Sequence, residues 1–182
     1  MSGEFSWRNG DPIGLIPAAP RENEPREMKL RKSRMVDLST DPAFFSLLTD
    51  SYVRLVGIPL VPPGKDAHWL YHEAPFVVVA HDTDRDPKFI YANKAAQACF
   101  EYPYEEFLAL PSRLSAEPTD WVARQTLLDK VSRDGFLSGY RGLRVAKSGR
   151  RFIIDDGVVW ELIDRKGMRH GQAATFRSWR NL

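Results

Sequence analysis

The stretch LSGYRGLRVAKSGRRFIIDDGVVWELIDRKGMRHGQAATFRSW, residues 137–179, decides the fold. Two short polar segments, KSGR at 147–150 and DRKG at 164–167, interrupt runs that are rich in β-branched and aromatic residues. Each segment contains a glycine, which supplies the backbone conformation that a tight hairpin turn needs. The stretch therefore predicts three successive antiparallel strands: Leu137–Lys147, Arg151–Asp164 and Met168–Trp179.

The residues before this stretch predict a hairpin and then several helices. The predicted elements are strands at 76–82 and 88–92, a helix from Asn93 to Phe100, a short helix from Glu105 and a longer helix over 119–133. Two strands, several helices and three hairpin-linked strands indicate an α+β fold. We expect a five-stranded antiparallel sheet with short helices over one face.

A further helix is predicted ahead of the sheet, as an N-terminal cap. Thr40 or Asp41 can cap it, Pro42 suits its first position, and Gly57 ends it. Its apolar residues recur at helical spacing: Phe44, Phe45, Leu47, Leu48, Tyr52 and Leu55. Residues 1–38 contain several glycines and prolines without sustained periodicity and are predicted to be a disordered leader. The sequence thus predicts one domain over 39–182.

Composition excludes several classes of protein. With 43% hydrophobic and 27% charged residues, the chain can bury a core. The net charge is +2, and the excess lies within residues 1–35, so the body has no basic face for nucleic acid. No apolar run approaches the roughly 20 residues that span a bilayer. Cys99 is the one cysteine, which excludes an internal disulfide and fits the cytoplasm.

The order of elements resembles a PAS domain, and more specifically the MEKHLA family of PAS-like modules. The matching blocks are EAPF at 73–76, HD at 81–82, LPSRLSAE at 110–117, GRRF at 149–152, Trp160, and GQAA at 171–174 ahead of Trp179. Members are free-standing bacterial proteins or the C-terminal part of certain plant homeodomain-leucine zipper transcription factors. The resemblance implies a sensory or interaction module, and it implies that the first helix belongs to the domain.

Flavin and haem chemistry are both disfavoured by the residues at the relevant positions. A blue-light PAS domain uses a reactive cysteine after the first two strands, whereas this chain has PSRL at 111–114. A serine hydroxyl is a much poorer nucleophile than a thiolate. Cys99 lies among small and apolar residues and is expected in the core. The predicted helix 119–133 contains no histidine to bind haem iron, so a haem would need His81 or His170 as its ligand. The sequence leaves the cofactor unknown.

Metal binding and catalysis also lack a pattern of residues. His68 and His72 lie one helical turn apart, but the sequence places no third ligand beside them. Ser112, His81 and Asp82 contain the residue types of a hydrolytic triad, without any motif that brings them together. We therefore expect no metal site and no enzyme.

The strand faces suggest where a ligand would bind. In the last strand Met168, His170, Gln172, Ala174 and Phe176 share a face, which places polar groups among apolar ones. PAS sheets hold their ligand on the face that the short helices cover, so Gln172 and His170 are candidates; the alternative is that this strand end is open to solvent.

Three more residues complete the candidate ligand site, each with a structural alternative. Asn93 is either a helix cap or a ligand contact. Arg113 either pairs with Glu117 or clamps a ligand anion. Trp160 is placed on one face with Phe152, Ile154, Val158 and Leu162. Asp156 falls on that face too, so either a bulge at Gly157 swings it outward or it points inward.

The sequence predicts a PAS-like sensor that binds a small ligand, a protein partner, or both, without catalysis. The candidate interface is Phe44, Phe45, Leu48 and Tyr52 on the first helix, since PAS modules commonly dimerise there. Its alternative role is to cover its own sheet. The competing functions are an interaction or dimerisation module without a pocket and, third, a small enzyme on a PAS-like scaffold.

Overall fold

The computed structural model describes residues 37–182, and an antiparallel sheet lies at its centre. The strands are β1 (Val77–His81), β2 (Phe89–Ala92), β3 (Phe136–Val145), β4 (Arg151–Ile163), β5 (Arg169–Phe176) and β6 (Ser178–Asn181). The helices are α1 (Pro42–Val56), α2 (Ala67–His72), α3 (Lys94–Phe100), α4 (Tyr104–Ala109) and α5 (Trp121–Asp134). Two 3-10 turns, Ser112–Ser115 and Pro118–Asp120, lead into α5.

The strand order is β2–β1–β5–β4–β3, and β6 also pairs with β4. Strands β5 and β6 keep one register along β4, so they are one long strand that is interrupted at Arg177. The predicted α+β fold with its five-stranded sheet is therefore confirmed. The predicted boundary between a leader of residues 1–38 and a domain of residues 39–182 stays a prediction, because residues 1–36 lie outside the described residues.

The first helix begins and ends where the sequence predicts. The side chain of Asp41 accepts a hydrogen bond from the backbone N–H of Phe44 at 2.6 Å, and Pro42 occupies the first turn. Gly57 ends the helix with a φ of 86°, a left-handed conformation that glycine adopts without strain. None of the helices in residues 37–182 combines the length and apolar character that crossing a bilayer demands.

Helices cover both faces of the sheet and create two cores. One core lies between the sheet and α3, α4 and α5, with Phe100, Phe107 and Phe152 among its largest side chains. The other lies between the opposite face and α1 and α2, around Trp160 and Tyr91. We call these surfaces of the sheet the α5 face and the α1 face.

A bulge in β4 corrects one sequence prediction about these faces. Asp156 has a φ of 60° and is exposed, as the predicted bulge requires. The bulge also reverses the alternation of side chains, because Phe152 and Ile154 lie on the α5 face whereas Trp160 and Leu162 lie on the α1 face. The prediction that all four share one face was therefore wrong.

Candidate ligand cavity

A small cavity lies on the α5 face, between the sheet and α5. Its volume is about 50 Å³, enough for roughly three to five water molecules. Most of its wall is apolar and comes from Val79, Phe89, Phe100, Leu127, Leu128, Ile154, Val159 and Phe176. Seven side chains with polar groups also line it: His81, Ser115, Arg124, Tyr140, Arg144, Gln172 and Thr175.

His81 is the last residue of β1, and its side chain belongs to the α5 face with those of Val77 and Val79. Its Nδ1 lies 2.8 Å from the carbonyl oxygen of Asp82, which can only accept, so Nδ1 carries the proton. Nε2 is then a hydrogen-bond acceptor, and it is buried without a partner. Burial lowers the pKa of this imidazole, which favours the neutral form at neutral pH.

Gln172 lies directly opposite His81 in the β1–β5 register. Its Nε2 donates to Glu161 Oε1 at 2.6 Å, to the carbonyl oxygen of Leu128 at 3.0 Å and to Ser132 Oγ at 3.0 Å. These acceptors fix the amide orientation, because a flipped amide would set its oxygen against a carboxylate and a carbonyl. The amide oxygen Oε1 is left buried and without a partner.

The neighbouring charges hold Gln172 in this orientation. Glu161 is 1% exposed, and Arg169 binds both of its carboxylate oxygens, at 2.6 and 3.0 Å. Ser132 on α5 donates to Glu161 at 2.9 Å and accepts from Arg169 at 2.7 Å. The two hydrogen bonds from Arg169 stabilise the buried carboxylate of Glu161. They also hold its Oε1 atom in place as an acceptor for the Gln172 amide.

Gly171 allows β5 to approach β1 closely beside these two residues. Its φ is 136°, and a Cβ built there would lie 1.8 Å from the carbonyl oxygen of His81. Only glycine fits such an approach. This glycine therefore contributes to the placement of both polar side chains on the α5 face.

Arg124 supplies a cation to the cavity from the first turns of α5. Its Nη2 donates to Ser112 Oγ at 2.9 Å, and Ser112 itself is fully buried. Burial lowers the pKa of Arg124 to about 10, and the nearby charge of Arg144 acts in the same direction. The guanidinium remains charged at neutral pH.

Two open grooves adjoin the cavity, one on each side of α5. A groove of about 420 Å³ shares His81, Leu128 and Gln172 with the cavity, and one of about 550 Å³ shares Arg124 and Arg144. Polar side chains thus connect the cavity to solvent at both sides of the helix. A small ligand could enter without unfolding the sheet.

The structure brings together only part of the predicted ligand site. Gln172 lines the cavity, whereas His170 is exposed and its Nε2 lies 3.1 Å from Asp164 Oδ2. The exposure of His170 matches the alternative that this strand end is open to solvent, and the backbone is irregular at Gly171, where the register shifts beside it. Trp160 lies on the α1 face, because the bulge at Asp156 reverses the alternation of side chains along β4. Its indole N–H donates to Ser51 Oγ at 3.1 Å.

Asn93 and Arg113 also lie away from the cavity. Asn93 is fully buried and caps α3 by accepting from the N–H of Ala96 at 3.0 Å, which confirms its structural reading. Arg113 binds Asp86 with two hydrogen bonds, of 2.9 and 3.2 Å, at the surface. It does not pair with Glu117, which instead binds Arg151.

The candidate interface on α1 is occupied by the protein's own sheet. Phe44, Leu48 and Tyr52 are buried in the core on the α1 face, and Phe45 packs at its edge. Tyr52 makes an edge-to-face contact with Trp160 at 4.9 Å between ring centroids. These side chains cover the protein's own sheet, which is the alternative role given for them, and the dimer interface stays a prediction.

Cys99 is buried in the core as predicted, and burial raises the pKa of its thiol to about 12, so it carries no thiolate for chemistry at neutral pH.

His68 and His72 stack on each other at 4.4 Å between ring centroids. Within residues 37–182, no three histidine, cysteine or acidic side chains are grouped so as to hold a metal ion.

His81, Arg124 and Arg144 line the cavity but were not among the predicted contacts of a small ligand, although the sequence holds a signal for the first two. Arg124 precedes Leu128 by four residues and Val131 by seven, so it shares their apolar stripe. His81 alternates with Val77 and Val79 along β1. A charged or polar residue in line with an apolar face is a candidate for burial.

Comparison with known families agrees with this geometry. The MEKHLA domain profile matches residues 42–181, which is most of the chain. The chain belongs to the MEKHLA family. No curated protein matches it.

Solved PAS structures share the fold at low sequence identity. The PAS domain of a protein from Colwellia psychrerythraea has a TM-score of 0.52 and 15% identity, over 62% of this chain and 90% of that one. The light-state dimer of the fungal blue-light photoreceptor Vivid has a TM-score of 0.50 and 16% identity, over 69% and 90%. These similarities establish the PAS fold for this MEKHLA protein.

A flavin does not fit the cavity as it stands. Pockets for drug-sized molecules run to about 300–1,000 Å³, several times the 50 Å³ found here. The position corresponding to the reactive cysteine region holds Ser112, whose hydroxyl already accepts from Arg124. The cavity suits a much smaller ligand.

Proposed function

We propose that this MEKHLA protein is a signal-sensing module that binds a small molecule in the cavity between α5 and the sheet, without catalysis. The observation that carries the proposal is the pair of unpartnered acceptors, His81 Nε2 and Gln172 Oε1. Leaving a buried polar atom without a partner costs about 1–3 kcal/mol. A ligand that donates a hydrogen bond to either atom would recover the free energy lost at that atom.

The wall of the cavity offers a means to convert binding into a signal. Helix α5 contributes Arg124 and Leu128 to the cavity, and the carbonyl of Leu128 accepts from Gln172. A ligand that bonds to Gln172 and Arg124 therefore acts on α5 and β5 together. We infer that binding shifts the position of α5, and that a protein partner or a second copy reads this shift.

The test is native mass spectrometry of the protein purified gently from its host, combined with a cavity-filling variant. Ala174 lines the cavity on β5, and Ala174→Val adds two carbons there. The variant should lose any co-purifying small molecule and the thermal stabilisation which that molecule gives. Ala98→Val, an exposed position on α3, is the matched control and should retain both.

The competing functions give different results in the same experiment. If the protein is an interaction module without a ligand, it will carry no bound mass from the host, and Ala174→Val will leave partner binding unchanged. If it is an enzyme, the bound molecule will be converted on incubation. A bound mass that Ala174→Val does not remove would place the ligand elsewhere and overturn the proposed site.

A further inference from the structure

The chemistry of the cavity lining narrows the class of ligand, an inference that rests on the proposed function. The first observation is an unbalanced positive charge. Arg124 and Arg144 both line the cavity, and the charge of Arg144 lowers the pKa of Arg124. Among residues 37–182, no carboxylate forms an ion pair with either guanidinium. Glu161, which is buried beside Gln172, is already held by Arg169.

The second observation is the pair of acceptors beside this charge. His81 and Gln172 are register partners, so their Cβ atoms lie about 5 Å apart. Their unpartnered atoms are an imidazole nitrogen and an amide oxygen, and both accept hydrogen bonds. The side chains are 9% and 6% exposed, so a ligand that displaces water from the cavity has to supply the missing donors itself. A ligand that fits these two atoms therefore carries N–H or O–H groups.

The third observation is the size of the space. Room for roughly three to five waters corresponds to a ligand of about the same number of heavy atoms, with one or two more if α5 moves slightly. Much of the remaining wall is apolar and comes from Val79, Phe89 and Val159, while Ser115, Tyr140 and Thr175 are its other polar residues. The small space and the positive charge together favour a ligand with one anionic group and one donor group.

We propose that the cavity binds a short carboxylate that also carries a hydrogen-bond donor, such as a hydroxy acid of two or three carbons. The carboxylate accepts from Arg124, which is planar and suited to two parallel hydrogen bonds. The hydroxyl donates to His81 Nε2 or Gln172 Oε1. Arg144 supplies a second positive charge at the side where the cavity meets the open groove.

The experiment is an NMR titration of the full chain with four probes, following backbone amides of β1, β5 and α5. Glycolate and 3-hydroxypropanoate carry both groups, acetate carries the anion alone, and ethylene glycol carries the donors alone. We expect the two hydroxy acids to bind at least about tenfold more tightly than acetate and ethylene glycol. Their shifts should centre on His81, Gln172 and Arg124.

Two arginine variants make the test specific. Arg124→Gln removes the charge but keeps a side chain able to donate to Ser112, and it should weaken glycolate binding about tenfold or more. Arg113→Gln removes a surface arginine that binds Asp86 outside the cavity, and it should leave glycolate binding unchanged. A temperature melt of each variant confirms that it is folded before it is titrated.

The outcomes separate this inference from the proposed function. Two results would show that the ligand is not an anion held by Arg124. One is equal affinity for glycolate and ethylene glycol, and the other is an equal loss of glycolate affinity in Arg124→Gln and Arg113→Gln. A neutral or larger molecule that co-purifies and is displaced in Ala174→Val would also overturn it, while supporting the sensing function. If no probe binds and no bound mass is found in protein from the host, both proposals fail.

Discussion

On the α1 face of the sheet the buried polar side chains have partners, whereas on the α5 face two of them lack one. Ser51 accepts from Trp160, and Asn93 makes four hydrogen bonds with backbone groups. His81 and Gln172 each leave one buried atom without a partner. Both faces pack aromatic rings in edge-to-face contact, such as Tyr52 with Trp160 on the α1 face and Phe100 with Phe152 on the α5 face, but the α5 face also encloses a cavity.

The two faces of the sheet therefore differ in role: the α1 face contributes mainly stability, and the α5 face carries the candidate binding site. Dense packing and complete hydrogen bonding are what a core needs for stability. Unpartnered polar atoms and empty volume reduce stability, and a binding site is the usual reason for a protein to keep them. Substitutions on the α1 face should therefore cost more than matched substitutions on the α5 face.

The largest effect is expected from Trp160→Ala on the α1 face. Trp160 is fully buried, contacts Tyr52 and donates to Ser51, so its removal leaves a large void and takes away one hydrogen bond from the Ser51 hydroxyl, which still donates to the carbonyl of Leu47. We expect the free energy of unfolding to fall by about 3–5 kcal/mol in urea denaturation. The matched variant is Phe176→Ala, a buried aromatic residue of the α5 face that lines the cavity, with an expected loss of about 3 kcal/mol. Equal losses would show that the two faces are packed alike.

The sequence predicts the elements of this fold better than it predicts the two faces. Hairpin turns and the caps at Asp41 and Asn93 are local signals, and the structure confirms them. The exchange of faces at Asp156 depends on how much β4 bends, which the period-two pattern of the strand does not encode. Trp160 was assigned to the wrong face for this reason.

The candidate site was predicted in part, again for physical reasons. Gln172 could be found because a polar side chain stands in line with apolar ones on β5. Arg124 was missed because arginine on an amphipathic helix is usually exposed. That His81 and Gln172 lack partners is a property of the assembled structure, since it depends on which groups of α5 and β4 reach them.

A smaller loss is expected from Asn93→Asp, also beneath the α1 face. The carboxylate can still accept from the N–H groups of Val78 and Ala96, but it cannot donate to the carbonyls of Leu70 and Phe76. We expect a loss of about 3 kcal/mol at neutral pH, measured by urea denaturation.

The matched control for this variant is Asn181→Asp, the same chemical change at an exposed residue that accepts from Arg150. Its effect should stay within about 0.5 kcal/mol. If both asparagine variants cost the same, the four hydrogen bonds of Asn93 do not account for its role.

On the α5 face, stability should depend on pH through His81. Burial lowers its pKa in the folded state from the ordinary 6.5, with Arg124 acting in the same direction and Asp82 and Glu161 opposing it. Below pH 6.5 the unfolded chain therefore binds a proton that the folded protein does not, and stability falls as pH falls. The slope approaches about 1.4 kcal/mol per pH unit between 6.5 and the folded pKa.

The measurement is urea denaturation at several values between pH 5 and 8, for the wild type and for His81→Phe. The difference between the two curves of unfolding free energy against pH gives the contribution of His81, because the other groups that titrate in this range are common to both proteins. The wild type should lose stability relative to the variant as pH falls below 6.5. Parallel curves would contradict the lowered pKa.

The smallest effect is expected from His81→Phe itself at pH 8, where the imidazole is neutral. The variant loses the hydrogen bond from Nδ1 to Asp82, worth about 1 kcal/mol, and it removes an unpartnered Nε2 whose burial costs about 1–3 kcal/mol. The free energy of unfolding should therefore stay within about 1 kcal/mol of the wild type or rise. Such tolerance is unusual for a side chain that is 9% exposed. A loss above about 2 kcal/mol would mean that Nε2 has a partner in solution, because only a satisfied buried nitrogen costs that much to remove.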